Sequence, residues 1–494
     1  MKKFLKIIFS LFFLMQLNQG RAQQDTLSII PTPLEAIGSG ESVQPFSLDE
    51  FYQLILQYHP IVKQSRYLSP LAQEEIRYAR GSFDPKAQAK LKQKVFEDKN
   101  YYQLLDAYVS VPTWFNVDFK AGFERAEGLY VNPESSTPDA GLMYAGVSVP
   151  IGKGLVMDAR RLTLRQAQIN QQAAEAEQLK AINKVLLSAA KDYWQWYLSY
   201  RNLQVAEEIF QLSDERFRAV RQAVLNGDEA PIDSVQAFIN FQQREVTYME
   251  ARIGFVNSSL LVSNYLWNEN EEPLEMDGSL YPVYEDLLEG YQSEEFLAQL
   301  MMLASQRHPD LVKLDAKARN LILDKKMAVE NLKPELNINY NIINQTLGFE
   351  NELGQNVFNN NYKWGFDFSF PILLRKERAK LKMTKIKMEQ VDFDRRQREK
   401  EIDTEVLSIY NELVNTNRLI EIQRAMVENY TTLLNGEQAM FEAGESSLFL
   451  VNTRESQLLE ANQKLLKLEV QLEKDKALLL WAAGVEELNF YSVQ

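Results

Sequence analysis

Two short stretches contain both histidines of the 494-residue chain, and histidine is the side chain that changes charge most readily near neutral pH. One stretch is QYHP, with His59 and Pro60, and the other is QRHP, with His308 and Pro309. If folding brought the imidazoles together, they could ligate a metal ion or act as an acid and a base. Alternatively, each His-Pro pair joins two helices. A residue before proline avoids the α conformation, and proline suits a first helical turn.

The rest of the chain offers little chemistry of its own. The absence of cysteine excludes disulfides, thiolate zinc sites, cysteine nucleophiles and the lipidated cysteine of a bacterial lipoprotein. No phosphate-binding P-loop, His-Glu-x-x-His helix or G-x-S-x-G elbow occurs in the sequence. The formal net charge of −14 speaks against a nucleic-acid partner, which needs concentrated lysine and arginine. We therefore predict a protein that is not an enzyme and needs no cofactor or metal ion.

The first 22 residues have the pattern of a cleaved secretory signal. Lys2 and Lys3 precede an apolar run, and Gly20-Arg21-Ala22 provides the small residues of a cleavage site. An anchoring helix is the alternative, but the apolar run is shorter than the ~20 residues that span a bilayer. We predict an exported chain whose residues 23–46 form a flexible leader.

The two histidines belong to a duplicated pattern that covers the chain. The first two pairs of landmarks are 249 residues apart and the third pair is 221 apart, so the first half holds 28 additional residues between its second and third landmarks. The paired landmarks are Pro60 and Pro309, Pro85 and Pro334, Pro150 and Pro371, Gly227 and Gly444, and Trp267 and Trp481. Shared order predicts a tandem repeat, which places both histidines at equivalent positions and favours the helix joint over a metal site.

The repeat sets the predicted domain bounds. The first repeat covers 47–267, with strands at about 86–151 and long helices at 152–267. An acidic connector punctuated by proline and glycine follows at 268–292. The second repeat covers 293–484, with strands at about 335–371 and helices at 372–484, and a tail of residues 485–494 ends the chain.

The long helices are predicted from the spacing of their apolar residues. Residues 155–226 contain neither proline nor glycine. Apolar residues recur there in steps of three and four, and a segment of the second repeat has the same steps. This is the heptad spacing of coiled-coil packing. The first seam is Leu179, Ile182, Leu186, Ala189, Tyr193, Trp196, Tyr200 and Leu203, and the second is Ile402, Val406, Ile409, Leu413, Thr416 and Ile420.

The predicted strands have one polar and one apolar face. In the second repeat the apolar face of one strand is almost wholly aromatic, with Tyr362, Trp364, Phe366, Phe368 and Phe370. Strands of about ten residues with this alternation are typical of membrane β-barrels, while a soluble sandwich is the alternative. We predict four strands per protomer. Four strands cannot close a barrel, so the membrane interpretation requires several copies of the chain.

The doubled order of helix, His-Pro, helix, strands, long helix and glycine turn resembles the TolC family of outer-membrane efflux proteins. The strand exits VSVPIGKG and FSFPILLR carry the resemblance too. The resemblance implies a mostly α-helical homotrimer, with coiled-coil helices forming an α-barrel tunnel and four strands per protomer forming a 12-stranded β-barrel. It also implies a periplasmic adaptor protein and an inner-membrane transporter of the RND, ABC or MFS class as partners, and contact with outer-membrane lipid. The family usually has asparagine where this chain has His59 and His308.

The resemblance also indicates which turns form the periplasmic tip, where such ducts dock the adaptor and close. These turns correspond to residues 225–234 and 441–451. Family members often narrow the entrance with aspartate six residues after the turn glycine; Asp233 fits, but the second repeat has Leu450 there. The gate is then an acidic ring that uses other carboxylates, or it is partly apolar. The candidate tip residues are Gly227, Asp228, Glu229, Asp233, Glu442, Gly444, Glu445 and Leu450.

Two readings of function follow. The resemblance implies an exit duct of a tripartite efflux or type I secretion system in the outer membrane of a Gram-negative bacterium, extending into the periplasm. The alternative is a periplasmic or surface coiled-coil scaffold without a pore, which has no need of an aromatic strand face. The 28 additional residues of the first repeat form either an extracellular loop or another hairpin, and the sequence does not decide between them.

Overall fold

The computed structural model describes residues 44–276, 278–284, 290–345 and 361–485. The predicted signal, nearly all of the leader and the C-terminal tail lie outside these residues. The helices are α1 Leu48–Tyr58, α2 Pro60–Arg66, α3 Leu68–Arg80, α4 Ala159–Asn226, α5 Pro231–Ser263, α6 Glu294–Arg307, α7 Pro309–Glu330, α8 Arg375–Glu442 and α9 Leu448–Ala482. The strands are β1 Gln44–Phe46, β2 Lys86–Phe96, β3 Lys99–Pro112, β4 Asp118–Glu127, β5 Leu142–Pro150, β6 Leu280–Pro282, β7 Glu335–Asn344 and β8 Tyr362–Ser369.

The chain divides into two compact units, and the first contains the end of α4 together with α5, β1 and β6. Aromatic rings hold the two helices together: Phe210 stacks on Phe241 with ring centroids 5.4 Å apart, and Phe217 lies 5.1 Å from Phe238. The short strands β1 and β6 pair in parallel. This unit is therefore a helical hairpin with an aromatic seam.

The second unit contains the remaining helices and a six-stranded antiparallel sheet in the order β2-β3-β4-β5-β7-β8. The first repeat supplies four of these strands and the second repeat supplies two. The prediction of four strands per protomer is therefore corrected to six, and a 12-stranded barrel no longer follows from three copies. The 28 additional residues form a hairpin of the sheet.

The strand that shows no alternating pattern is β3, and its residues explain why the count was too low. Doublets such as Tyr101-Tyr102 and Leu104-Leu105 interrupt the alternation of polar and apolar residues. The turn that joins β2 to β3 uses Glu97 and Asp98, with φ angles of 51° and 58°. Two consecutive positive φ angles are those of a two-residue hairpin turn, for which Asn-Gly is the usual signal. The residues of this turn therefore carry no sequence signal that predicts a hairpin.

Polar residues share one face of the sheet and apolar residues the other in the middle of most strands, although the doublets of β3 break this pattern. On the polar face Lys90 lies opposite Asp106, and Asp106 lies opposite Glu124. The next row belongs to the other face, where Ala107 lies opposite Phe123. The aromatic residues of β8 are among the most exposed of the chain, with Trp364 66% and Phe368 60% exposed. The described residues therefore leave the apolar face of the sheet uncovered.

The long helices match the predicted seams. All residues of both heptad seams are buried except Leu179, which is half-buried. Helix α8 has 68 residues and is about 100 Å long at 1.5 Å per residue. No helix in the described part of the chain has the length and apolar character needed to cross a membrane.

Candidate functional site

The two histidines occupy the same kind of joint. The backbone of His59 is extended, with φ −63° and ψ 129°, between the end of α1 and the start of α2. His308 has φ −56° and ψ 128° between α6 and α7. In both joints Nδ1 accepts a hydrogen bond from the backbone N–H two residues later, at 3.2 Å from Ile61 and 3.1 Å from Asp310. Each imidazole therefore caps the helix that follows it, as an N-cap side chain does.

Each joint packs near the tryptophan that ends its own repeat. The ring of His59 lies 6.4 Å from Trp267, centroid to centroid, and 6.0 Å from Tyr265. His308 and Trp481 line one small cavity of about 20 Å³. A side chain at Gly484 would meet Pro309 at 2.8 Å, so only glycine fits against the second joint. The same landmarks thus meet in both repeats.

A cluster of charges surrounds the second joint. The carboxylate of Asp310, at the start of α7, accepts from Lys180 of α4 at 2.6 Å and from Arg398 of α8 at 2.9 Å. Burial alone would raise the pKa of Asp310, but these two cations hold it below its usual range. One carboxylate therefore ties three helices together. We call Lys180, Asp310 and Arg398 the Asp310 clamp.

The same surroundings keep His308 neutral. Burial lowers its pKa to about 4, and the positive charges of Arg398 and Lys180 add to this effect while Asp310 opposes it. Burial also lowers the pKa of His59. A neutral imidazole is required for Nδ1 to accept a hydrogen bond. Among the described residues no group of three or more histidine, aspartate or glutamate side chains is arranged to hold a metal ion.

Replacing His308 by asparagine is expected to flatten the acid sensitivity of the fold. In the unfolded chain His308 has its ordinary pKa of 6.5 and becomes protonated below that pH. In the native joint its pKa is about 4, so the imidazole stays neutral down to a lower pH. Stability is therefore lost as the pH falls from 6.5 to 4, by about 2 kcal/mol at pH 5. Asparagine keeps an oxygen for the cap but does not titrate. Thermal unfolding followed by circular dichroism at pH 7 and pH 5 measures the difference.

His59→Asn is the matched variant for this experiment. Its pKa is lowered in the same direction, without a shift as large as that of His308, so we expect a smaller flattening. An unchanged pH profile in His308→Asn would contradict the neutral cap.

The two predicted tip turns share one backbone design. Gly227 follows α4 with φ +91°, and Gly444 follows α8 with φ +78°. The amide of Asp228 bonds the carbonyl of Ala223 at 2.9 Å, and the amide of Glu445 bonds that of Met440 at the same distance. These bonds are those of a Schellman cap, which requires a left-handed residue and hence favours glycine. A Cβ would meet nothing within 4 Å at either glycine, so conformation and not space selects the residue.

The helices that leave these turns are capped in different ways, and the unmatched residues Asp233 and Leu450 take part in different bonds. Both residues are third in their helices, α5 and α9. Asp233 accepts a hydrogen bond from the backbone N–H of Ala230 at 3.2 Å. In the second turn Ser447 is the N-cap, and its hydroxyl faces the amide of Leu450 at 3.5 Å. The first turn therefore uses a carboxylate to bond the backbone N–H before the helix, and the second uses a hydroxyl to bond an N–H within it.

The second turn is also held by a hydrogen bond and an ion pair that the sequence did not indicate. Glu437 of α8 accepts from the hydroxyl of Ser446 in the turn and from Arg454 of α9, whose Nε is 3.4 Å away. The four other candidate acids, Asp228, Glu229, Glu442 and Glu445, are exposed. The two turns belong to different units, Gly227 to the first and Gly444 to the second. An acidic gate made from both therefore stays a prediction.

The Asp310 clamp was also missed from the sequence. Its members lie 130 and 88 residues from Asp310, and nothing in their local spacing marks them as partners. The nearest signal is the position of Asp310 in the first turn after His-Pro, where an acid suits the helix N-terminus. The first repeat has Ile61 at that position.

Long paired helices, duplicated joints and a sheet with one uncovered apolar face are the features that the resemblance to outer-membrane efflux proteins predicts. The sequence profile of the outer membrane efflux protein family matches residues 116–260 and 300–485, and the chain belongs to this family. A comparison with curated protein sequences finds no match.

Solved structures of outer-membrane channels have the same fold at low sequence identity. The CmeC channel of Campylobacter jejuni is 14% identical with a TM-score of 0.60, covering 88% of this chain and 85% of its own. The open MtrE channel of Neisseria gonorrhoeae is 11% identical with a TM-score of 0.60, covering 88% of each chain. The VceC outer membrane protein of Vibrio cholerae is 14% identical with a TM-score of 0.58, covering 88% of this chain and 96% of its own.

Proposed function

We propose that this protein is the outer-membrane exit duct of a tripartite efflux or type I secretion system. The observation that carries the proposal is the six-stranded sheet with its exposed aromatic face and its polar face. An apolar face of this size is costly in water and is favourable against lipid. The two outermost strands, β2 and β8, each have one neighbour in the sheet of the described chain. Open edges are not tolerated in a bilayer, so other copies of the chain must pair with them.

Helix α8 supports an assembly of several copies, which we propose is a homotrimer. Thr384 and Val391 are buried within the chain, whereas Met383, Ile386 and Phe393 project from another side of the helix and are 54%, 47% and 67% exposed. A helix in the wall of a tube has a neighbour on each side, and the exposed apolar side suits a helix of the next copy. Three copies of a six-stranded sheet make eighteen strands, and barrels of 16–18 strands leave an aqueous channel.

We place the duct in the outer membrane, with the long helices in the periplasm and the two turns at the tip that meets an adaptor protein. The glycine turns expose apolar side chains to such a partner, among them Leu225 at 72%, Ile232 at 68% and Phe449 at 62% exposed. The transport energy comes from an inner-membrane transporter of the RND, ABC or MFS class. The duct itself therefore needs no catalytic residue.

Planar-bilayer recording of the detergent-extracted full-length chain tests the proposal. We expect a heat-modifiable trimer that inserts and gives stepwise conductance with a preference for cations. The preference follows from the acidic balance of the chain, whose net charge is −14. Asp233→Asn, which keeps an acceptor for the Ala230 cap but removes the charge, is expected to weaken block by divalent cations.

Two outcomes would speak against parts of this proposal. A monomeric product that needs no detergent and gives no conductance would favour the coiled-coil scaffold without a pore. Unchanged divalent block in Asp233→Asn would remove Asp233 from the gate and leave it only its role at Ala230.

A further inference from the structure

The first turns of α8 carry a dense group of cations that we call the basic cluster. It consists of Arg375, Lys376, Arg378, Lys380, Lys382, Lys385 and Lys387, all of which are exposed. The one acidic residue within this stretch is Glu377. In a chain with a net charge of −14, this is a local concentration of charge opposite to that of the whole.

The basic cluster has no counter-charge within the described part of the chain, where none of its members forms an ion pair or a side-chain hydrogen bond. Arginines farther along the same helix are paired. Arg395 bonds Asp315 at 2.9 Å, and Arg398 bonds Asp310 at 2.9 Å. The difference between the two parts of α8 indicates that the basic cluster meets anions from outside the described residues.

The position of the basic cluster opposes the intrinsic preference of a helix. The N-terminus of a helix is the positive end of its dipole, where cations are unfavourable and anions are favourable. Helix α8 starts after Leu374, which has a left-handed φ of 48° and makes no capping hydrogen bond through its side chain. By contrast α1 starts with a Ser47 cap and two acids, Asp49 and Glu50. A helix start that breaks several local rules at once is the kind of place where a functional site is expected.

The basic cluster directly follows the apolar face of the sheet. Strand β8 ends at Ser369, and between it and α8 lie Ile372 and Leu373, which are 88% and 61% exposed. The β3–β4 turn is at the same end of the sheet because neighbouring strands are antiparallel, and it exposes Trp114 and Phe115. Membrane proteins place apolar residues in the hydrocarbon, aromatic residues at the interface and cations at the headgroups. The sheet, the turn and the basic cluster follow one another in this order.

We infer that the basic cluster is a docking surface for the anionic headgroups of phospholipids in the leaflet nearest the helices. The inference rests on the proposed function, because it requires the sheet to lie in a membrane. The chemistry recognised is a phosphodiester with net negative charge, as in phosphatidylglycerol. Lysine ammonium and arginine guanidinium groups bind phosphate oxygens, and the open helix N-terminus adds amide donors to the same anion.

The test uses the full-length protein, purified from membranes into micelles that contain equal amounts of phosphatidylglycerol and phosphatidylcholine. Native mass spectrometry then counts the lipid molecules of each type that the protein retains. We expect the retained lipid to favour phosphatidylglycerol by about fivefold or more, which is the effect of a single lysine near an anionic surface. Raising the salt to 0.5 M is expected to reduce this preference.

Two triple variants examine the two flanks of the helix, which lie apart at about 100° per residue. One carries Lys376→Gln, Lys380→Gln and Lys387→Gln, and the other Arg378→Gln, Lys382→Gln and Lys385→Gln. We expect at least one triple variant to bring the ratio of the two retained lipids to about one. The matched control removes three charges elsewhere with Lys400→Gln, Arg418→Gln and Lys464→Gln, whose side chains are exposed and form no ion pair among the described residues. This control is expected to keep the preference.

The contrary outcomes are separable. Equal retention of both lipids by the unmodified protein, or an equal loss in the control, would overturn the inference. A triple variant that dissociates the oligomer in pure phosphatidylcholine would assign the cations to acids of a second copy. A variant that changes only anion permeability would assign them to cargo. If the unmodified protein does not insert or conduct, the proposed function itself fails; if it conducts without a lipid preference, only this inference fails.

Discussion

Replacing Phe366 by lysine is expected to prevent stable insertion of the sheet, whereas the same change at Asp367 is tolerated. The two residues are neighbours in the middle of β8, and their side chains lie on opposite faces. Phe366 is on the uncovered apolar face, opposite Ile338 of β7, and is 54% exposed. A lysine on the lipid face near the middle of a membrane costs about 2–4 kcal/mol per copy. In the proposed trimer the three costs together are comparable with the stability of a typical domain.

Asp367 provides the matched control because it is on the polar face. Its carboxylate is exposed and accepts from the half-buried side chain of Asn339 at 3.0 Å. Losing such a bond costs about 1 kcal/mol. The measurement is the fraction of protein that resists carbonate extraction and migrates as a folded, heat-modifiable band. Equal behaviour of the two variants would show that the faces are not divided between lipid and water.

Replacing Asp310 by alanine is expected to lower the free energy of unfolding by about 2–4 kcal/mol. The change removes the shared partner of Lys180 and Arg398, whose bonds to Asp310 are 2.6 Å and 2.9 Å long. Two cations then face each other at the start of α7 without a carboxylate, next to His308. Because the pKa of Asp310 is depressed, its contribution is present above the pKa of an ordinary aspartate and is lost as the pH falls through the lower native value.

The control for this variant is Asp394→Ala on α8. Asp394 pairs with Lys317 at 3.6 Å, and both side chains are more than half exposed, so little stability depends on the pair. Thermal unfolding followed by circular dichroism at pH 7 compares the two variants with the unmodified protein. A loss in Asp310→Ala no larger than that in Asp394→Ala would mean that the Asp310 clamp does not hold the three helices together.

Much of the fold could be predicted because its signals are local and occur twice. Each proline that follows a histidine forces an end to one helix, and the structure has helix boundaries at His59 and at His308. Heptad spacing predicts the buried residues of α4 and α8 because one turn of helix repeats every 3.6 residues. The prediction of a mostly α-helical tandem repeat and the resemblance to outer-membrane efflux proteins rest on these patterns, and both are confirmed. The alternation of residues in β8 predicted its polar and aromatic faces, because successive side chains of a strand point to opposite faces.

Other features required the tertiary structure. Strand β3 is specified by its pairing with β2 and β4, since its own sequence does not alternate, and so the count of six strands was out of reach. Partners far apart in sequence, such as Lys180 and Asp310, meet only when three helices pack. That Asp233 caps one helix and Ser447 caps another is likewise seen only in the hydrogen bonds. The sequence by itself determined the repeated elements through local backbone physics. Which side chains those elements bring together was decided by packing at long range.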